Sequence, residues 1–258
     1  MPLRDQRELL GVVLVAPRNP LNIGAVARAM ANFGFTRLAV VSPYAPHWRE
    51  ARSAIGAPQV LANAMEHAAL ADAVAGCTLV VGTATLAARK PMQKVVSLPA
   101  LAPLIRARLV QGGRIALVFG PEKHGLTRDD LSFCHLLVNV PTDPRQPSMN
   151  LGQAVAVCLY EIAARVFSAG AAVPAGSAEN AASPATSASL DRLATVIEEA
   201  MTAAGYSPRS MQTANRHDLR VMLRRLHMNA ADTRRALGLF RRILWRLQRA
   251  AGKRTAPG

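Results

Sequence analysis

Five short runs of mostly apolar, often β-branched residues punctuate the first 165 positions: Leu10 to Val15, Arg37 to Val41, Thr78 to Thr83, Ile115 to Gly120 and Leu136 to Val140. Each is close to continuous in apolar character rather than alternating, the pattern of strands buried on both faces. Segments of helical spacing separate them, so the pattern predicts a βαβ order and a mostly parallel sheet covered by helices. Several runs end in Gly, Pro or Ser, at the carboxyl edge where open α/β sheets bind ligands.

After the first run, Ile23, Val26, Ala27, Met30 and Phe33 fall on one stripe of 3.6-residue spacing, with Gly34 as a stop and Arg28 on the opposite side. A second clear helix follows the last run, where Leu151, Ala154, Val155, Cys158, Leu159, Ile162, Ala163 and Val166 share a face and place Cys158 in the core. From Ser168 to Ser189 the chain turns to Ala, Gly, Ser and Pro, a composition that predicts a flexible linker. Helical periodicity returns over 190–204, 215–228 and 230–250. The expected organisation is an α/β unit over residues 1–167, a linker over 168–188 and a small all-α unit over 189–258.

Half of the 258 residues are apolar and 18% are charged, the balance of a globular protein. The longest stretch without Asp, Glu, Lys or Arg, Ala73 to Ala88, is 16 residues, short of the roughly 20 that a membrane span needs. The N-terminus lacks the apolar stretch of a signal peptide, and the expected location is the cytoplasm. Three scattered cysteines, Cys77, Cys134 and Cys158, predict neither disulfides nor structural zinc, and six scattered histidines predict no metal site. The net charge of +15 changes the picture most, because such an excess calls for a polyanionic partner. Nucleic acid comes first, an anionic membrane surface second. Between Arg209 and Arg254 thirteen basic residues face two acidic ones, so most of the excess lies in the helical unit.

Three segments at strand ends carry candidate chemistry. Pro17-Arg-Asn-Pro-Leu-Asn-Ile-Gly-Ala-Val-Ala-Arg28 leads from a strand into a helix but lacks the glycines and lysine of a dinucleotide or nucleotide-triphosphate loop. Phe119-Gly-Pro-Glu-Lys-His-Gly-Leu126 sets a carboxylate between two glycines. Pro147-Ser-Met-Asn-Leu151 precedes the long helix, which Ser148 or Asn150 is suited to cap.

Taken together, with Asn22 and Arg28 in the first segment, Gly120, Glu122 and Gly125 in the second, and Ser148 and Asn150 in the third, the chain resembles the SpoU/TrmH-like branch of the SPOUT RNA methyltransferases. The stretches VLVAPRNPLNIGAVARAMANFGF and LTRDDLSFCHLLVNVP, with the basic helical C-terminus, look most like the TrmJ-type tRNA ribose methyltransferases. The resemblance implies a trefoil-knotted α/β domain, an obligate homodimer, bent S-adenosylmethionine as cofactor, and methylation of a ribose 2′-hydroxyl of tRNA, with nucleotide 32 of the anticodon loop as the expected target. It further implies that Gly82, Thr83, Ala84, Thr85, Phe119, Gly120, Glu122, Gly125, Leu126, Val140, Pro141, Ser148, Met149, Asn150 and Leu151 hold the cofactor. Arg28, Asn22, Glu122, Ser148 and Asn150 would be the catalytic set. The family's arginine, here Arg28, has been assigned the role of base, yet a guanidinium with a pKa above about 12 suits a phosphate clamp and hydroxyl orienter better. Glu122 stands as an orienting group or as the alternative proton acceptor.

Two other readings share these motifs: an enzyme of the same family acting on ribosomal RNA, and a non-catalytic RNA-binding factor on the same fold. Trp48 and Trp245 read first as packing residues, although Trp245 lies among Arg241, Arg242, Arg246 and Arg249 and is a candidate to stack on a base.

Overall fold

The computed structural model describes residues 3–51, 56–83, 91–168, 183–206 and 208–254. Seven strands form one sheet: β1 (Leu10–Val15), β2 (Arg37–Val41), β3 (Met65–His67), β4 (Leu79–Thr83), β5 (Lys94–Ser97), β6 (Ile115–Phe119) and β7 (Leu136–Asn139). Their order across the sheet is β3-β2-β1-β6-β4-β7-β5, and every pairing is parallel. The five runs read from the sequence are the five inner strands. The two additional strands lie at the edges, where they are short and carry exposed Met65, Glu66 and Lys94, so no apolar run announced them.

Both faces of the sheet are covered. On one, Leu10, Val12 and Leu14 of β1 join Ile115, Leu117 and Phe119 of β6 beneath α1 (Pro20–Asn32), α2 (Pro58–Ala62), α4 (Leu98–Val110) and α6 (Leu151–Val166). On the other, Val13, Val15, Val80, Ala116 and Val118 pack under α3 (Leu70–Val74) and α5 (Arg128–Ser132). Alternate residues of each strand therefore enter different cores, which is why the runs are continuously apolar. Helix α1 starts where Asn19 accepts the Leu21 N–H at 2.9 Å, and it stops before Gly34, whose φ is +75°. Helices α1 and α6 cross closely; a Cβ on Gly152 would lie 2.8 Å from that of Ala25. Cys77, Cys134 and Cys158 are free and buried, and burial pushes their thiols up to about 11, 12 and 12.

The C-terminal helices are α7 (Ser187–Ala203), α8 (Gln212–Arg225) and α9 (Ala230–Arg254). Their own core holds Leu193, Ala194, Ile197, Leu219 and Leu223, with Leu237 and Phe240 of α9 against it. Most of the expected linker, residues 169–182, lies outside the described residues. Its last part is ordered: Pro184 bridges to Asn229, Ala185 N–H donates to Met228 O at 3.0 Å, and Thr186 caps α7. The helical unit is also docked on the sheet domain. Ser187 and Ala188 N–H groups donate to the Cys77 and Ala75 carbonyls at 2.9 and 3.1 Å. Arg224, fully buried, donates to Phe133 O at 3.0 Å and to Asp191 at 2.8 Å, while His217 and Arg220 meet Asp129 and Arg128 meets Asp218.

Candidate active site

The carboxyl ends of β6, β4 and β7 and the N-terminus of α6 enclose a cleft of about 210 Å³. One wall is the 120–126 turn, in which the Gly125 N–H donates to Pro121 O at 2.9 Å. A Cβ on Gly120 would sit 2.3 Å from the Gly125 carbonyl carbon and the Leu126 nitrogen, and Gly125 has φ +64°. Backbone contact at one glycine and left-handed geometry at the other make the turn possible. Val138 and Val140, from the end of β7 and just beyond it, and Leu151 and Ala154 of α6 line the cleft as well. Thr142 Oγ1 donates to Pro147 O at 3.2 Å and so closes the segment between β7 and α6.

Beside the cleft, one hydrogen-bond chain joins the three motifs. Glu122 Oε1 accepts from Asn22 Nδ2 at 2.8 Å and from the Asn19 N–H at 3.2 Å, and Oε2 accepts from the Arg18 N–H at 3.2 Å. Asn22 Oδ1 accepts in turn from Asn150 Nδ2 at 2.9 Å. Asn150 Oδ1 receives the Gly152 N–H at 2.9 Å as the cap of α6. Burial raises the Glu122 carboxyl, but hydrogen bonds from the Asn22 side chain and from the backbone of Glu122, Arg18 and Asn19 outweigh it and hold the group below its ordinary value. Glu122 is thus an anion at neutral pH, with both oxygens engaged.

Thr83, Phe119, Gly120, Glu122, Gly125, Leu126, Val140, Ser148, Met149 and Leu151, all expected from the sequence, line the cleft. Gly82, Pro141 and Asn150 do not. Gly82 is buried on β4, where a Cβ would come 2.7 Å from Cys134 Sγ, so the glycine serves packing there. Asn150 acts through its cap and Asn22, and Pro141 is exposed. Ala84 and Thr85 lie outside the described residues. Arg28 is exposed on α1, off the cleft lining, and its side chain makes no hydrogen bond or ion pair among the described residues.

Pro121, His124 and Pro147, which lie within the segments singled out from the sequence, also line the cleft, as do Val138, Asn139, Thr142 and Ala154, which the sequence reading passed over as site residues. Asn139 at a strand end and Ala154 one turn beyond Asn150 follow from strand-end and helix spacing; Thr142 has no such signal. A larger cavity of about 460 Å³, bordered by Met92, Leu131, His217 and Val221, lies between residues 91–93, α5 and α8 and contains none of the expected site residues.

Phe119, Leu126, Val138, Val140 and Leu151 give the cleft apolar surface, and the Glu122 carboxylate beside them favours a ligand that carries positive charge. Among the described residues no three His, Cys, Asp or Glu side chains are grouped as for a metal ion, and no helix is long and apolar enough to cross a membrane.

The family described as SpoU rRNA Methylase matches over residues 9–160. The chain is 32% identical over 240 residues to the tRNA (cytidine/uridine-2′-O-)-methyltransferase TrmJ of Yersinia enterocolitica, covering 92% of this chain and 91% of that protein. It is 39% identical over 152 residues to the tRNA (cytidine/uridine/adenosine-2′-O-)-methyltransferase TrmJ of Pseudomonas aeruginosa, covering 58% and 59%. The crystal structure of TrmJ from Z. mobilis ZM4 is similar with a TM-score of 0.78 at 28% identity, over 90% of this chain and 98% of that one.

Proposed function

The chain belongs to the SpoU methylase family, and from that premise we propose that it transfers a methyl group from S-adenosylmethionine to a ribose 2′-hydroxyl of tRNA. The observation that carries this reading is the Glu122–Asn22–Asn150 chain, which ties three separate loops together beside a cleft of suitable chemistry. The tRNA substrate rests on the names of the relatives that share nine-tenths of the chain.

S-adenosylmethionine, when bound, would supply an electrophilic sulfonium methyl for the ribose oxygen and would leave as S-adenosylhomocysteine, with the hydroxyl proton passing to solvent. Phe119, Leu126, Val138, Val140 and Leu151 would hold its apolar parts, and the Glu122 carboxylate would complement the positive sulfur. Glu122 orients rather than accepts the proton, because its depressed pKa and fully engaged oxygens make it a weak base. Asn22 and Asn150 keep the loops in register. Ser148, exposed on the cleft wall, orders the cofactor loop and the substrate. Arg28 clamps a substrate phosphate and aligns the hydroxyl.

We further propose a homodimer in which Arg28 of one copy serves the cleft of the other: Arg28 is off the cleft lining of its own chain, and α1 and α6 expose Leu21, Val157 and Tyr160. The knotted catalytic unit runs to residue 167, and the basic helices beyond the linker bind RNA, in the cytoplasm where tRNA is matured. The expected nucleotide is position 32 of the anticodon loop. Incubation of purified protein with unmodified tRNA and S-adenosylmethionine, followed by nucleoside mass spectrometry and oligonucleotide mapping, tests this. A 2′-O-methyl nucleoside at position 32 is expected; methylation of ribosomal RNA alone would transfer the reading to the rRNA enzyme, and no cofactor binding would leave a non-catalytic factor.

A further inference from the structure

The arginines of the helical unit fall into two sets. Three of the four on α8 are engaged, Arg216 with Glu198, Arg220 with Asp129 and Arg224 with Asp191, while Arg225 is exposed. On α9 only Arg235 meets a carboxylate, that of Asp232, and Arg234, Arg241, Arg242, Arg246 and Arg249 have none among the described residues. No acidic residue follows Asp232 in the chain. The first part of α9 packs on α7 and α8 through Ala236, Leu237 and Phe240, but the helix continues for fourteen residues past Phe240. On that extension Trp245 is 42% exposed, so packing does not account for it. The guanidinium carbons of Arg242, Arg249 and Arg246 lie 4.6, 5.2 and 5.7 Å from its ring centroid. An indole in water surrounded by unpaired guanidiniums gains little for the fold, since like charges three and four residues apart repel.

From this arrangement we infer that Trp245 with Arg242, Arg246 and Arg249 is a stacking site for an unpaired base of the RNA, the arginines neutralising the flanking phosphates. This rests on the RNA-modifying reading of the cleft and adds a second contact point, remote from it in the sequence. The occupant is single-stranded because an indole face accepts only a base that has left its helix, whereas a duplex offers phosphates alone. An anionic lipid surface would also attract the charge, and serves below as the competing outcome.

The protein provides its own reporter. Its two tryptophans are Trp48, fully buried, and Trp245, so an emission change on adding RNA reads the exposed ring. The full-length chain is titrated with an oligouridylate, with a perfect RNA duplex, with unmodified tRNA and with phosphatidylglycerol vesicles, alongside Trp245→Phe, Trp245→Ala and an Arg246→Gln/Arg249→Gln double variant. The oligouridylate should quench the emission of the wild type and the duplex should not. Trp245→Ala should weaken oligouridylate and tRNA binding by about tenfold with the salt slope unchanged, Trp245→Phe should lose less, and the double arginine variant should flatten the slope. Cofactor binding, equal in all variants, establishes that each is folded. Wild-type tRNA binding that Trp245→Ala leaves unaltered would overturn the stacking site while leaving the tRNA reading intact. Absence of tRNA binding by the wild type would overturn both. Emission changes with vesicles at physiological salt and none with RNA would assign the patch to membranes instead.

Discussion

Asn22 donates to Glu122 across 2.8 Å and one hundred residues of sequence, and it does so from the first turn of a helix into the turn that follows β6, a strand distant in sequence. The contact exists because β6 lies beside β1, which brings the loop after each to the same edge. Its amide also accepts from Asn150, so removal of Glu122 leaves an asparagine with one end held.

Glu122→Gln should therefore loosen the cleft and weaken cofactor binding, because its amide nitrogen would turn a donor toward the Asn22, Arg18 or Asn19 donors. The pH dependence follows from the depressed carboxyl. A group whose folded pKa is below its unfolded value, about 4.3 for Glu, contributes stability above that value and loses it as the pH falls through the folded one. Thermal melts of wild type and Glu122→Gln should differ at pH 7 and converge as the pH drops below about 4. A gap that stays constant would mean Glu122 is not held in its ionised form.

The close approach of Gly82 to Cys134 predicts coupling. Gly82→Ala alone drives its methyl to within 2.7 Å of a fully buried sulfur and 3.0 Å of Leu137, an overpacking worth about 1–3 kcal/mol. Cys134→Ala alone removes a buried group. The double variant should be more stable than the sum of the two losses, by about 0.5 kcal/mol or more in urea denaturation.

Arg28→Ala should abolish methyl transfer and leave cofactor affinity and melting temperature unchanged, since the side chain is exposed and off the cleft lining. Arg28→Lys should fail too, because an ammonium lacks the planar fork that grips a phosphate and a hydroxyl at once. Calorimetry with cofactor beside tRNA methylation separates binding from transfer; retained activity in either variant would remove Arg28 from the site.

Two arginines on one helix should behave very differently. Arg224 is fully buried, and its loss strands Asp191 and the Phe133 carbonyl, so Arg224→Ala should cost about 3 kcal/mol or more. Arg216 pairs with Glu198 at half exposure, and Arg216→Ala should cost under about 1 kcal/mol. Denaturant titration compares them. The same docking implies that a chain cut at Ser168 exposes Phe133, takes His217 and Arg220 from Asp129, and loses stability along with RNA affinity.

The apolar pattern by itself determined the five inner strands, helices α1 and α6 of the sheet domain and the three C-terminal helices, because burial on two faces and on one stripe leaves clear periodicities, whereas α4, as long as α1, was not read from it. The need for glycine at 120 and 125 was legible for the same local reason, and so was a cap on α6 by Ser148 or Asn150, of which the structure uses Asn150. Strand order was not, since β1, β4, β6 and β7 are alike in their apolar runs and any order satisfies their composition; only the packed sheet sets β6 between β1 and β4 and so joins Glu122 to Asn22. The edge strands were hidden because backbone pairing, not side-chain burial, makes them strands. The arginines read as one basic field. Tertiary structure divided them, because a guanidinium's role depends on whether a carboxylate comes to lie opposite, as Asp191 does for Arg224 and as none among the described residues does for those around Trp245.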